Sequence, residues 1–180
     1  GVGVAFKLIC AIEGKESETK ILDEYGEIIA IGTVADVVSL LGENRIITSI
    51  GLEKLNKKRM GEGLKALIDL CNIGEKKITP SVIGYIIAPK INAAGRMGST
   101  ENAVKLFLET DKKNAYSLAE ELCEENRQRQ DIETELLQSA LDMVEKTFDF
   151  ENDKIIVLEG FGWHHGIIGI ISSKITDKYF

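Results

Sequence analysis

Residues 111–146 read DKKNAYSLAEELCEENRQRQDIETELLQSALDMVEK, without a glycine or a proline. Leu, Glu, Gln and Ala dominate the stretch, side chains that lose little freedom in a helix. It predicts one helix of about 35 residues, on the order of 50 Å long at 1.5 Å per residue. Its apolar stripe runs Ala115, Leu118, Ala119, Leu122 and resumes at Leu136, Leu137, Ala140, Leu141 and Val144. Where the stripe should continue stand Asn126, Arg129 and Gln130, within ENRQRQ (125–130). Either the helix crosses a solvent gap between two domains there, or that face lines a polar cleft.

Upstream, helical patterning covers about 2–12, 20–31, 44–57, 61–72 and 80–88, with Gly or polar breaks between. Thr79 before Pro80 forms a helix start, a hydroxyl cap followed by proline at the first helical position. Ser99 or Thr100 caps a further short helix reaching Leu108. Downstream the period changes. KIIVLEG (154–160) is a short apolar run ending in glycine and predicts a buried strand. Gly160, Gly162, Gly166 and Gly169 punctuate the next stretch, and a helix resumes. The expected fold class is α/β: a mostly helical first part, a long connecting helix, then the strand, turn and helix that open an α/β domain.

The chain has 180 residues, 44% of them apolar, which supports a sizeable core and argues against disorder. No apolar run approaches the roughly 20 residues that span a bilayer, and no secretory signal pattern is present. Cys10, Cys71 and Cys123 share no close spacing, which excludes a disulfide scaffold and a CxxC-type metal site. The expected setting is reduced and cytoplasmic. Both ends lie in apolar runs, GVGVAFKLICAI (1–12) and GIIGIISSKITDKYF (166–180), so an excised piece of a longer protein is expected.

A net charge of −7 counts at first against nucleic acid. The excess is local. Residues 1–98 carry thirteen basic and twelve acidic groups, whereas 99–150 carry six and thirteen. Acidity therefore belongs to the long helix and its approach, where a solvated face accounts for it.

Four segments could carry chemistry. In IAIGTVADVVSL (29–40), Asp36 is the only charged residue among apolar neighbours. Such a carboxylate is either a turn or helix-end residue, or a ligand for a hard cation such as Mg²⁺ or Mn²⁺. One Asp does not make a metal site. In APKINAAGRMGS (88–99), small residues permit close backbone approach beside Asn92 and Arg96. The planar fork of Arg96 suits phosphate, or else it ties a loop to a helix end. The third segment is the polar interruption of the long helix. In GFGWHHGIIGIISSK (160–174), glycines at a strand-to-helix turn expose backbone N–H groups at a helix start, a natural anion site. His164 stands there, with Ser173 and Lys174 further on; the histidines without local Cys or carboxylate are weak zinc evidence. No GxxxxGK[ST], complete GxGxxG or GxSxG occurs, so a P-loop, a simple dinucleotide fold and a serine hydrolase are excluded.

In this order, GVGVAFKL, AIGTVADVVSLLGENR, APKINAAGRMGS, ENRQRQ and GWHHGIIGIISSK resemble the DHH phosphoesterase family, in its RecJ-type single-strand-specific 5′→3′ exonuclease branch. The resemblance spans essentially the whole chain. It implies that residues 1–110 form the later part of the phosphoesterase domain. Residues 111–150 would be the interdomain helix, and 151–180 the start of a substrate-binding domain. It implies Asp36 as metal ligand and catalytic residue, and Asn92 with Arg96 facing substrate phosphate. His164 and Gly166 would lie beside the scissile phosphate. Asn126, Arg129, Ser173 and Lys174 would bind the DNA strand. Lys174 stands where an Arg is usual, which keeps charge but loses the bidentate fork. Ser39 stands where a Pro is common.

Further implied are Mn²⁺ or Mg²⁺ in a two-metal site, and single-stranded DNA as substrate in repair and recombination. Single-strand-binding protein and a RecQ-type helicase are implied as partners of the intact protein, with no membrane association. The upstream Asp motifs that complete the metal site are absent, so the isolated chain is expected to be inactive. Two alternatives remain: a smaller phosphodiesterase of the same family acting on dinucleotides or short oligonucleotides, and a non-catalytic helical nucleic-acid-binding module.

Overall fold

The computed structural model describes residues 1–73, 76–98 and 100–180, with Lys15 described by its backbone alone. Ser99, one of two expected caps, lies outside the described residues. Three helices come first: α1 (Val2–Glu13), α2 (Glu18–Ala35) and α3 (Gly42–Asn56). Gly26 and Ala30 on α2 meet Gly51 on α3, where an added Cβ would run into the Ala30 Cβ and the Gly26 carbonyl. Small residues there let the two backbones touch. Across the same contact, Lys54 meets Glu27 at 2.7 Å, both buried.

Next come α4 (Glu62–Leu70) and a continuous helical run made of α5 (Pro80–Val82), a π segment (Ile83–Ile87) and α6 (Ala88–Met97). Thr79 caps this run as expected, its Oγ1 accepting from the Val82 N–H at 3.3 Å. The helix does not stop near Pro89. A proline ring inside a helix clashes with the carbonyl four residues back and removes one ladder bond. Here the turn before it widens, and the Ala88 N–H reaches the carbonyl of Ile83, five residues back. The widened turn absorbs the ring, and the helix continues to Met97. Gly98 closes it in the left-handed region at φ 95°.

Helix α7 (Thr100–Leu108) leads to α8 (Lys112–Thr147), 36 residues long as the sequence predicts. Asp111 caps it, Oδ1 accepting from the Asn114 N–H at 2.9 Å. The last element is α9 (His165–Tyr179).

The two halves of the α8 stripe serve different cores. Ala115, Ala119 and Leu122 pack with Leu64, Leu67, Ile83, Ile87 and Leu106. Leu136, Ala140 and Val144 pack with Ile167, Ile171 and Ile175 of α9. A separate cluster joins α1, α2 and α3 through Phe6, Ile21, Leu22, Ile29 and Ile47.

The expected strand is a correction. Residues 154–160 carry no regular secondary structure, and no strand occurs among the described residues. The alternation is real: Ile156 and Leu158 pack onto the α8–α9 core, while Ile155 and Val157 face outward. A strand also needs a neighbour for its N–H and C=O groups, and the described residues provide none. The α/β part of the expected fold class is therefore not borne out; this structure is helical.

Candidate functional site

The ends of two helices meet. Arg96, in the last turn of α6, donates from Nη1 to the backbone oxygen of Gly166 at 2.9 Å. The contact is close enough that a Cβ on Gly166 would lie 2.5 Å from the Arg96 carbonyl oxygen. Only a residue without a side chain fits at that point. One N–H of the Arg96 guanidinium is thus spent on the fold, and the residue remains exposed. Asn92 lies one turn earlier on the same face and is also exposed.

His164 is the N-cap of α9, and its Nδ1 accepts from the Gly166 N–H at 3.1 Å. An accepting Nδ1 puts the proton of the neutral imidazole on Nε2, which leaves a donor for a ligand. His164, Gly166 and Arg96 therefore form one unit, with a backbone turn at its centre. The start of α9 presents the positive end of a helix beside an exposed guanidinium, an arrangement that attracts anions.

Asp36 sits elsewhere. It shares no hydrogen bond or ion pair with Asn92, Arg96 or His164, and lines a cleft of about 380 Å³ with Gly1–Val4, Lys7, Thr33, Val38, Glu43 and Asn44. It is the C-cap of α2 and half-exposed, Oδ2 lying 2.9 Å from the amino nitrogen of Gly1. A carboxylate at the negative end of a helix is disfavoured by roughly 0.3–1 kcal/mol unless a cation answers it. Val37, the next residue, has φ 53° and is exposed. A β-branched residue in the left-handed region is strained, at a cost of order 1–3 kcal/mol. The Gly1 amino group answers the Asp36 carboxylate, so the unfavourable feature left at this turn is the backbone of Val37. Asp36 fits a divalent ion as one hard oxygen donor. It does not form a site, since among the described residues no three His, Cys, Asp or Glu side chains converge.

The polar gap of α8 is filled by protein. Asn126 and Glu133 are buried, and Arg129 is nearly so. Asn126 Oδ1 accepts from Arg129 Nε at 3.3 Å and from Nη2 at 3.2 Å. Arg129 Nη1 pairs with Glu133 Oε2, and Lys174 Nζ of α9 reaches Glu133 Oε1 at 2.5 Å. The interruption lies between the two cores that α8 serves, and its polar side chains pair with one another and with Lys174 of α9. Ser173 is exposed and donates to the Gly169 carbonyl at 3.1 Å.

Glu133 is absent from the sequence-based set. Its signal was its spacing: positions 126, 129, 130 and 133 share one helical face.

Against known proteins, no family model matches. The single-stranded-DNA-specific exonuclease RecJ of Bacillus subtilis (strain 168) is 37% identical over 180 residues, all of this chain and 22% of that protein. The RecJ of Escherichia coli (strain K12) is 34% identical over 99% of this chain and 33% of its own length. The crystal structure of RecJ from Thermus thermophilus in complex with Mg²⁺ superposes with a TM-score of 0.76 at 33% identity. That match covers 87% of this chain and 24% of the other. Over essentially its whole length the chain matches a partial region of RecJ. It spans between a fifth and a third of the length of these RecJ relatives. The similarity runs through the segments bearing Asp36, Arg96 and His164, since essentially all of this chain is matched to RecJ sequence.

Proposed function

We propose that this chain is the central part of a single-stranded-DNA-specific 5′→3′ exonuclease that hydrolyses phosphodiester bonds. Residues 1–110 then belong to the phosphoesterase domain, 111–150 to the interdomain helix, and 151–180 to a substrate-binding domain that continues beyond this sequence. The observation that carries the reading is the union of Arg96, Gly166 and His164, seventy residues apart in the chain and joined at two helix ends. That union leaves several Arg96 N–H groups and the His164 Nε2 available to one anionic group.

In this reading Arg96 and Asn92 hold the phosphate, and His164 donates through Nε2 to an oxygen beside the scissile bond. Gly166 keeps the two helix ends in contact. Ser173 and Lys174 meet the strand further along α9, with Asn126 and Arg129 supporting from α8. Asp36 supplies one ligand of the metal site. RecJ crystal structures have been obtained with Mg²⁺ and with Mn²⁺. Such ions, when bound, lower the pKa of water and neutralise charge on a phosphodiester. In this reading the remaining ligands come from outside this chain, and the isolated 180 residues are expected to be inactive. Repair and recombination form the setting, with single-strand-binding protein and a RecQ-type helicase as partners.

The test is degradation of end-labelled DNA by the intact protein with Mn²⁺ or Mg²⁺. Shortening of single strands from the 5′ end, with duplex and dinucleotides spared, is expected. Preferred cleavage of dinucleotides would favour the small phosphodiesterase instead. Mn²⁺-dependent digestion by the isolated chain would overturn its assignment as an incomplete site.

A further inference from the structure

Arg129 and Lys174 come from different helices and share one carboxylate. Glu133 is buried, its two oxygens divided between them: Oε2 to Arg129 Nη1, Oε1 to Lys174 Nζ at 2.5 Å. The two cations differ in what they have left to offer. Arg129 is nearly buried, and Nε, Nη1 and Nη2 all point at Asn126 or Glu133. Lys174 is half-exposed, and an ammonium has three donors, of which Glu133 takes one. Of the two cations that share Glu133, Lys174 is the one that reaches solvent.

We infer that Glu133 is a positioning residue: it fixes Lys174 for the phosphate backbone of the DNA strand, while Arg129 and Asn126 hold Glu133 itself in place. A lysine is a flexible point charge, and ordering it before the ligand arrives removes part of the entropy cost of binding. The same carboxylate links α8 to α9, so the phosphate-facing lysine is set relative to the connecting helix. The inference rests on the proposed single-stranded-DNA function.

The charge of Glu133 makes the test decisive. If Glu133 acted only as a nearby negative charge, Glu133→Gln would relieve repulsion and tighten DNA binding. Positioning has the opposite sign. In the intact protein, E133Q is expected to raise KM for single-stranded DNA about tenfold, with kcat within about twofold. Lys174→Ala should raise KM similarly, and E133Q combined with K174A should be no worse than K174A alone. Thermal unfolding of each variant shows whether the fold is kept; Glu133→Asp, which retains the charge, should recover part of the affinity if E133Q proves unstable. Unchanged or tighter binding by E133Q, or losses that add fully in the double variant, would overturn the inference. If K174A itself leaves DNA binding unaltered, the reading of this face as strand-binding fails instead.

Discussion

Arg96 and Gly166 are joined twice: the guanidinium donates to the Gly166 carbonyl at 2.9 Å, and the Arg96 carbonyl occupies the space a Gly166 side chain would need. One hydrogen bond and one close approach thus set the end of α6 against the start of α9. The position of His164 follows, because its Nδ1 is held by the Gly166 N–H.

Substituting Gly166→Ala should separate these helix ends. The backbone of α6 cannot yield as a flexible side chain would, so the new methyl group is overpacked at a cost of about 1–3 kcal/mol. Denaturant unfolding should show that loss. Nuclease activity of the intact protein should fall by more than stability explains, since at 25 °C the remaining folded enzyme still has His164 displaced. Full activity with lowered stability would separate the contact from the chemistry.

Ile167 is fully buried between α9 and α8, against the cluster of Leu136, Ala140 and Val144. Truncation to alanine leaves a cavity there and should cost about 2–5 kcal/mol. Since α9 is held mainly through this core, limited proteolysis should cut near 148–164 faster in Ile167→Ala than in the parent. An equal cutting rate would mean that α9 is anchored elsewhere.

At the C-cap of α2, Asp36→Asn removes a carboxylate from the negative end of a helix. Stability should stay within about 0.5 kcal/mol, as for an exposed site, or rise slightly. Metal-dependent activity of the intact protein should fall at least about 100-fold, because loss of groups that merely support metal ligands already costs about 10–100-fold. Calorimetric titration with Mn²⁺ would show whether binding, rather than folding, is lost.

Burial pushes the Cys71 thiol above its ordinary range, opposed in part by Lys90, and Cys123 is raised for the same first reason. A raised thiol pKa means less thiolate at a given pH. Alkylation of both by iodoacetamide near pH 8 should therefore be slower than for a free thiol, and should keep accelerating at pH values where the free thiol has levelled off. Mass-spectrometric mapping of the modified cysteines measures each site separately. Free-thiol rates at Cys71 would contradict its burial.

The long helix was readable because nothing in 111–146 interrupts helical geometry, and local propensity needs no partner to be recognised. The cap at Thr79 is similarly local, one side chain and one N–H; Asp111 forms another of the same kind that the sequence reading did not name. Pro89 misled at the same level. Its ring disfavours an ordinary turn, and the helix passes it through the wider turn over Ile83–Ile87, whose end residues are buried in the core. The alternation of 154–160 was also read correctly, but a strand is a relation between two segments, and one segment cannot declare it.

At the site, sequence alone determined the chemical inventory: an isolated Asp36, a fork at Arg96, an imidazole at His164, and a polar break in the stripe of α8. It also determined that the negative charge lies on the long helix and its approach, leaving the other segments nearly neutral. Tertiary structure decided which of these groups meet. Arg96 reached Gly166 across seventy residues because a glycine allowed two backbones to touch, while Asp36 stayed with the first helices. It also showed what fills the polar break. Burial makes a lone charge costly, so Glu133, enclosed between α8 and α9, pairs with Arg129 one turn away and also with Lys174, the latter a pairing across 41 residues that no local pattern encodes.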